Sequence, residues 1–154
     1  MAELNKGDKA PEFTGTGQDG KQLSLSSLRG SKIILYFYPK DDTPGCTAEA
    51  CNLRDNFSEL RSMGFVILGV SPDKESSHQK FISKYELPFT LLSDPQQEIL
   101  KAYQAWGKKS MYGKQYEGVL RKTYVIDEQM NIIAVIEKVN TKDHTHQILE
   151  ELNK

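Results

Sequence analysis

The chain is poor in the residues that staple or anchor proteins. It has two cysteines and one tryptophan in 154 residues. Two cysteines cannot form the dense disulfide framework of a small secreted domain, and they supply only half of the four ligands that structural zinc takes. No apolar run approaches the roughly 18 residues of a transmembrane helix. The opening stretch MAELNKGDKAPEF lacks the apolar centre of a signal peptide. Excess charge is missing as well. The formal net charge of −1 gives no electrostatic basis for holding nucleic acid or an anionic membrane. The expectation is one water-soluble domain over residues 1–154, located in the cytoplasm. A chain of this length buries enough surface to fold without a covalent clamp, which leaves its cysteines free for chemistry.

The order of elements points to an α/β fold. Asp19-Gly20, between Phe13 and the Leu23/Leu25 alternation, signals an N-terminal β-hairpin. Lys32 to Tyr38 is a nearly continuous β-prone run of the kind that is buried on both faces of a sheet, and Pro39 ends it. A helix is expected from about 44 to 63, with Thr43 as N-cap, Pro44 in the first turn and Gly64 as the stop. Phe65 to Val70 reads as a second buried strand. Asp73 opens a polar helix to about Tyr85, and Phe89 to Leu92 is a short strand. Asp94 caps a helix from Pro95 to about Tyr103. Residues 105–119, rich in Gly and Lys, are expected to be a loop carrying Trp106, Met111, Tyr112 and Tyr116. Thr123 to Ile126 and Ile132 to Ile136 form a strand pair, and a last helix occupies about 142–152. Strands alternating with helices, then two strands joined by a tight turn, imply a mixed central sheet flanked by helices.

The cysteines fall at the start of the first long helix. Taking Cys46 as zero at 100° per residue, Ala50, Leu53, Phe57 and Leu60 lie within about 40° of it, so Cys46 heads the buried stripe. Cys51 lies about 140° away, off that stripe. In an intact helix the two Cα atoms are about 8.6 Å apart, whereas a disulfide spans at most about 7 Å. If the two pair, the helix must unwind locally. As the third helical residue, Cys46 faces unpaired backbone N–H groups and the positive end of the helix dipole, a setting that favours a nucleophilic thiolate. Asp41 and Asp42, turn-forming residues, oppose this somewhat, so a nearby cation would help. The four arginines are Arg29, Arg54, Arg61 and Arg121.

On their own these residues also fit plainer roles. A cysteine on an apolar helix face is commonly a small core residue, Thr43 is a sufficient N-cap, and Arg121 at a strand start fits a surface ion pair. Glu49 reads as a solvated helix residue, and His144 and His146 as a surface pair. A C-x-x-C oxidoreductase and a non-enzymatic redox sensor are the alternatives; the C-x-x-x-x-C spacing speaks against the first.

The string Tyr36-Phe37-Tyr38-Pro39-Lys40-Asp41-Asp42-Thr43-Pro44-Gly45-Cys46-Thr47-x-Glu49-Ala50-Cys51 contains Pro39-x-x-x-Thr43-x-x-Cys46, which resembles the active-site motif of peroxiredoxins. The whole string is similar to that of the bacterioferritin comigratory protein, or peroxiredoxin Q, subfamily. Gly7 to Phe13, Gly69 to Asp73, Leu91 to Asp94 and Arg121 to Asp127 agree with it in order. The resemblance implies a thioredoxin-like fold and a thiol peroxidase without metal or organic cofactor. It implies that Cys46 is the peroxidatic cysteine and Cys51 the resolving one. It makes Thr43 a peroxide-pocket hydrogen-bonding residue, Arg121 the cation at the thiolate, Pro39 a shield and Glu49 the holder of the arginine. The implied partners are hydroperoxides and a thioredoxin-type dithiol reductant, and the implied state is a monomer.

Overall fold

A computed structural model describes residues 4–154. Its centre is a seven-stranded mixed sheet in the order β2-β1-β5-β4-β3-β8-β9. The strands are β1 (Thr14–Gly17), β2 (Gln22–Ser24), β3 (Lys32–Phe37), β4 (Phe65–Ser71), β5 (Thr90–Ser93), β8 (Lys122–Ile126) and β9 (Ile132–Ile136). β3 runs parallel to β4 and antiparallel to β8, and β4 runs parallel to β5. The β1–β2 hairpin joins through β5, and Gly20 at its turn takes φ +78°, which the expected Asp19-Gly20 turn requires.

β3 shows why its sequence is almost continuously apolar. Ile33, Leu35 and Phe37 enter one core, whereas Ile34, Tyr36 and Tyr38 enter the other. Each face is covered, so alternation of apolar with polar residues is not required. On one face lie α1 (Pro44–Asp55), α2 (Phe57–Ser62), α3 (Glu75–Tyr85) and α5 (His144–Leu152), contributing Cys46, Leu53, Leu60, Phe81 and Ile148. On the other lie α4 (Glu98–Ala102) and the N-terminal segment, with Ile99, Leu100 and Phe13. Gly69 on β4 is required by close packing. A Cβ there would stand 2.7 Å from Leu91 and 2.8 Å from the Tyr36 ring.

The structure corrects four expectations. The helix expected over 44–63 is two helices. Asn56 breaks it with φ −108°, ψ 12°, as its side-chain amide donates to the Asn52 carbonyl and competes with the helical ladder. The polar helix starts at Glu75 rather than Asp73. The helix expected from Pro95 starts at Glu98, because Gln97 takes a left-handed conformation, while the Asp94 carboxylate accepts from the Leu100 N–H. Finally, the expected loop over 105–119 is a β-hairpin of β6 (Trp106–Met111) and β7 (Lys114–Val119), with Tyr112-Gly113 at its turn. Only the base of this hairpin, Trp106 and Val119, packs on the core; the largely solvated, lysine-rich remainder carries no periodic apolar signal, so the composition conceals it. No helix among the described residues is long and apolar enough to cross a membrane.

Candidate active site

β3 ends at Phe37, and residues 38–43 turn the chain into α1. This connection is fastened to its surroundings at each acidic residue. The Asp41 N–H donates to Asp73 Oδ2. The Asp41 carboxylate accepts from Tyr38 Oη and Ser77 Oγ, and it lies 2.7 Å from His78 Nδ1. The far nitrogen of His78, Nε2, lies 3.1 Å from the Leu92 carbonyl. Burial works against the Asp41 charge, but the hydrogen bonds from His78, Tyr38 and Ser77 prevail and hold its carboxyl below the usual range. Asp42 takes the strained φ of +57° and is held by Lys84 Nζ and Tyr85 Oη. On local pattern alone, both aspartates read as simple turn residues. The partners come from α3, more than 30 residues away, and no local pattern announces them.

Thr43 is the backbone N-cap of α1, with extended φ and ψ, and Pro44 occupies the first turn as expected. Its hydroxyl does not cap the helix. It donates to the Lys40 carbonyl at 2.9 Å. The N–H groups of Gly45 and Cys46, among the first of the helix, therefore gain nothing from the Thr43 side chain. Pro39 is half-buried in the same turn.

Cys46 is 1% exposed, at the head of the stripe that continues through Ala50 and Leu53. Arg121, just before β8, donates from Nη2 to Cys46 Sγ at 3.2 Å and from Nη1 to Glu49 Oε1 at 2.7 Å. Gly45 makes room for this. A Cβ at that position would stand 3.3 Å from Nη2. Glu49, which on its own pattern reads as a solvated helix residue, is completely buried one turn below Cys46. Burial raises its carboxyl to about 7, against the opposing pull of Arg121. Cys51 is partly exposed and unpaired; burial raises its thiol pKa.

One histidine was misplaced by the sequence. His146 is exposed beside Glu150, but His144 is buried. Its Nε2 lies 2.8 Å from Thr123 Oγ1 and 3.4 Å from Glu49 Oε2, and its Nδ1 lies 2.9 Å from Gln147 Oε1. Burial lowers its ring to about 4. The polar character of the terminal helix hid this. Among the described residues no group of three or more His, Cys, Asp or Glu side chains is arranged to hold a metal ion.

Residues 6–135 match the AhpC/TSA family. The chain is 49% identical over 149 residues to a putative Bcp peroxiredoxin of Coxiella burnetii, covering 97% of this chain and 99% of that one. It is 43% identical over 146 residues to peroxiredoxin Bcp of Bacillus subtilis, covering 95% and 93%. In three dimensions it resembles Xylella fastidiosa PrxQ, with a TM-score of 0.91 and 27% identity over 99% of this chain and 98% of that one. It also resembles the bacterioferritin comigratory protein of Xanthomonas campestris, with a TM-score of 0.85 and 33% identity over 92% and 90%. The thioredoxin-like fold and the overall likeness agree with the motif around Cys46, and the chain belongs to the AhpC/TSA family as a peroxiredoxin of the Bcp or PrxQ kind.

Proposed function

We propose that the protein is a thiol peroxidase that reduces hydrogen peroxide and organic hydroperoxides at Cys46, with Cys51 as the resolving thiol. The carrying observation is the Arg121 fork, one nitrogen on Cys46 Sγ and the other on buried Glu49. A guanidinium so placed stabilises a thiolate and then the negative charge growing on a departing oxygen.

The Cys46 thiolate attacks the terminal peroxide oxygen in line with the O–O bond. The S–O bond forms, and the O–O bond breaks. Both its electrons leave on the alkoxide or hydroxide, which takes a proton from solvent to become alcohol or water. Thr43 has its single proton committed to the Lys40 carbonyl. Its lone pairs are left to accept from the peroxide O–H, and this orients the substrate. The N–H groups of Gly45 and Cys46 and the Arg121 guanidinium face the charge that develops. Pro39 limits water at the pocket. The sulfenic acid on Cys46 then reacts with the Cys51 thiol: an S–S bond forms and water leaves. A thioredoxin-type dithiol reduces that disulfide by exchange and is itself oxidised. The chain acts as a monomer with no metal or organic cofactor, as the subfamily resemblance implies, and works in the cytoplasm. Reduction of alkyl peroxides is supported by the Xanthomonas campestris relative, whose structures bear on its alkyl peroxide reduction activity.

Peroxide consumption by two variants tests this reading. Cys46→Ser should consume none, and Cys51→Ser should consume one equivalent and stop without an intramolecular disulfide. Sustained turnover by Cys46→Ser would remove Cys46 from the reaction.

A further inference from the structure

Asp73 does not start a helix. α3 begins two residues later, at Glu75, with Lys74 as its N-cap. The Asp73 N–H donates to Ser71 Oγ at 3.1 Å. Its carboxylate reaches across to the β3–α1 connection, where Oδ2 accepts from the Asp41 N–H at 2.6 Å, 32 residues away in sequence.

That N–H belongs to the same peptide unit as the Lys40 carbonyl, and the Lys40 carbonyl accepts from Thr43 Oγ1 at 2.9 Å. The unit is planar, and in its trans form the N–H and the C=O point in opposite directions. Fixing one fixes the other. Asp73 therefore holds one edge of the plane, and the Thr43 hydroxyl meets the opposite edge. The other fastenings of the connection act on side chains. Tyr38, Ser77 and His78 surround the Asp41 carboxylate, and Lys84 and Tyr85 hold that of Asp42. They set where the connection lies. None of those bonds is made to the 40–41 peptide, so they leave its rotation free.

We propose that Asp73 is a positioning residue for the peroxidase reaction: by holding the Asp41 N–H it aims the Lys40 carbonyl at Thr43, which commits the Thr43 proton and leaves the Thr43 lone pairs to the peroxide. This deepens the peroxidase reading and rests on it. Rotation of the 40–41 peptide turns the carbonyl away. The Thr43 hydroxyl is then free to donate elsewhere, and the peroxide O–H loses its fixed acceptor. Holding reactants in the right orientation lowers the barrier, and small misplacements forfeit that gain. Charge alone acts in the reverse sense. A carboxylate in the vicinity of a thiolate disfavours it, so removing Asp73 would on that ground speed the reaction.

Stopped-flow kinetics of the reduced protein separates orientation from charge and from general damage. Asp73→Ala should lower the second-order rate constant for hydrogen peroxide roughly tenfold, the scale of one hydrogen bond made to a charged group. Asp73→Asn keeps an oxygen that accepts from the Asp41 N–H and should recover most of the rate, although it removes the same charge. Alkylation of Cys46 by iodoacetamide, followed at the Cys46 peptide, makes no use of the Thr43 lone pairs and should be nearly unchanged in both variants. In a Thr43→Val background, Asp73→Ala should cost nothing further, because a residue that acts through another is not additive with it. Proton NMR of the unmutated protein should place the Asp41 amide far downfield, and Asp73→Ala should return it to an ordinary shift. An undiminished peroxide rate in folded Asp73→Ala, an equal fall in alkylation, no recovery in Asp73→Asn, or full additivity with Thr43→Val would each overturn the proposal. So would an Asp41 amide at an ordinary shift in the unmutated protein, which keeps the test decisive if Asp73→Ala does not fold. An unmutated protein that consumes no peroxide but shows the shifted amide would instead overturn the peroxidase reading and leave the held peptide standing.

Discussion

Arg121 reaches Cys46 Sγ at 3.2 Å with one terminal nitrogen and Glu49 Oε1 at 2.7 Å with the other, across 75 and 72 residues of sequence. The planar fork of a guanidinium makes both bonds at once. A lysine ammonium is a point charge without that geometry. Arg121→Ala should therefore slow the reaction of Cys46 with peroxide by about 10²–10³-fold, the scale set by losing one donor to a developing oxyanion. Arg121→Lys should recover only part of it. Stopped-flow peroxide consumption checks this, with circular dichroism confirming the fold. A loss below tenfold for a folded Arg121→Ala would make Arg121 a structural residue.

Glu49 and His144 should give stability opposite dependences on pH. The folded pKa of Glu49 is raised from 4.5 to about 7. The folded state then holds a proton that the unfolded chain releases, and stability falls as pH rises between these values. The folded pKa of His144 is lowered from 6.5 to about 4, so its contribution is lost as pH falls through that window. Each effect is roughly 3 kcal/mol at full extent, and the two largely offset each other between about pH 4.5 and 6.5. Chemical denaturation of Glu49→Gln should show stability rising with pH across that range, and His144→Asn should show it falling. Parallel slopes in the two variants would contradict the assignment.

The Asp41–His78 pair holds the connection that carries Thr43 and Cys46. Its side chains are 3% and 0% exposed. Removing one member of a buried pair strands the other, at a cost of about 3–5 kcal/mol. Asp41→Ala or His78→Ala should lower the denaturation midpoint accordingly. Because the Asp41 carboxyl is held below its usual range, its contribution is present above the unfolded pKa and is lost as pH falls through the folded one. A change under 1 kcal/mol would mean that the connection is held elsewhere.

Gly69→Ala tests the packing beneath the site. The added methyl would meet Tyr36 and Leu91 at under 3 Å. Overpacking of a central strand costs typically 1–3 kcal/mol. A neutral substitution, measured by denaturant unfolding, would show that Tyr36 moves freely.

The sequence disclosed what local pattern can carry. The buried strands, the Asp19-Gly20 hairpin, the capped start of α1 and the stripe beneath Cys46 all follow from periodicity and turn chemistry. The motif and the resemblance also pointed to Arg121 and Glu49, and the structure places the two in contact. Relationships between distant elements stayed hidden. Nothing near His144 indicates that Thr123 and Glu49 surround it, and nothing near Asp41 indicates His78. The β6–β7 hairpin escaped because most of its residues are solvated and only its base, Trp106 and Val119, packs on the core. The break at Asn56 depends on a single side chain reaching one carbonyl.

Reaction of Cys46 with Cys51 requires α1 to open, since their Cα atoms stand about 8.6 Å apart in an intact helix and a disulfide spans at most about 7 Å. The opening would also release Asn52 from Thr145 and the Lys142 carbonyl. The most direct test of the two-cysteine peroxidase is to add one equivalent of hydrogen peroxide to the reduced protein, block free thiols within seconds, and weigh it while following amide exchange across residues 44–55. The account predicts loss of both thiols, a mass lower by two hydrogens, and reduced protection in α1. Unchanged thiols, or a disulfide formed with α1 as protected as before, would contradict it.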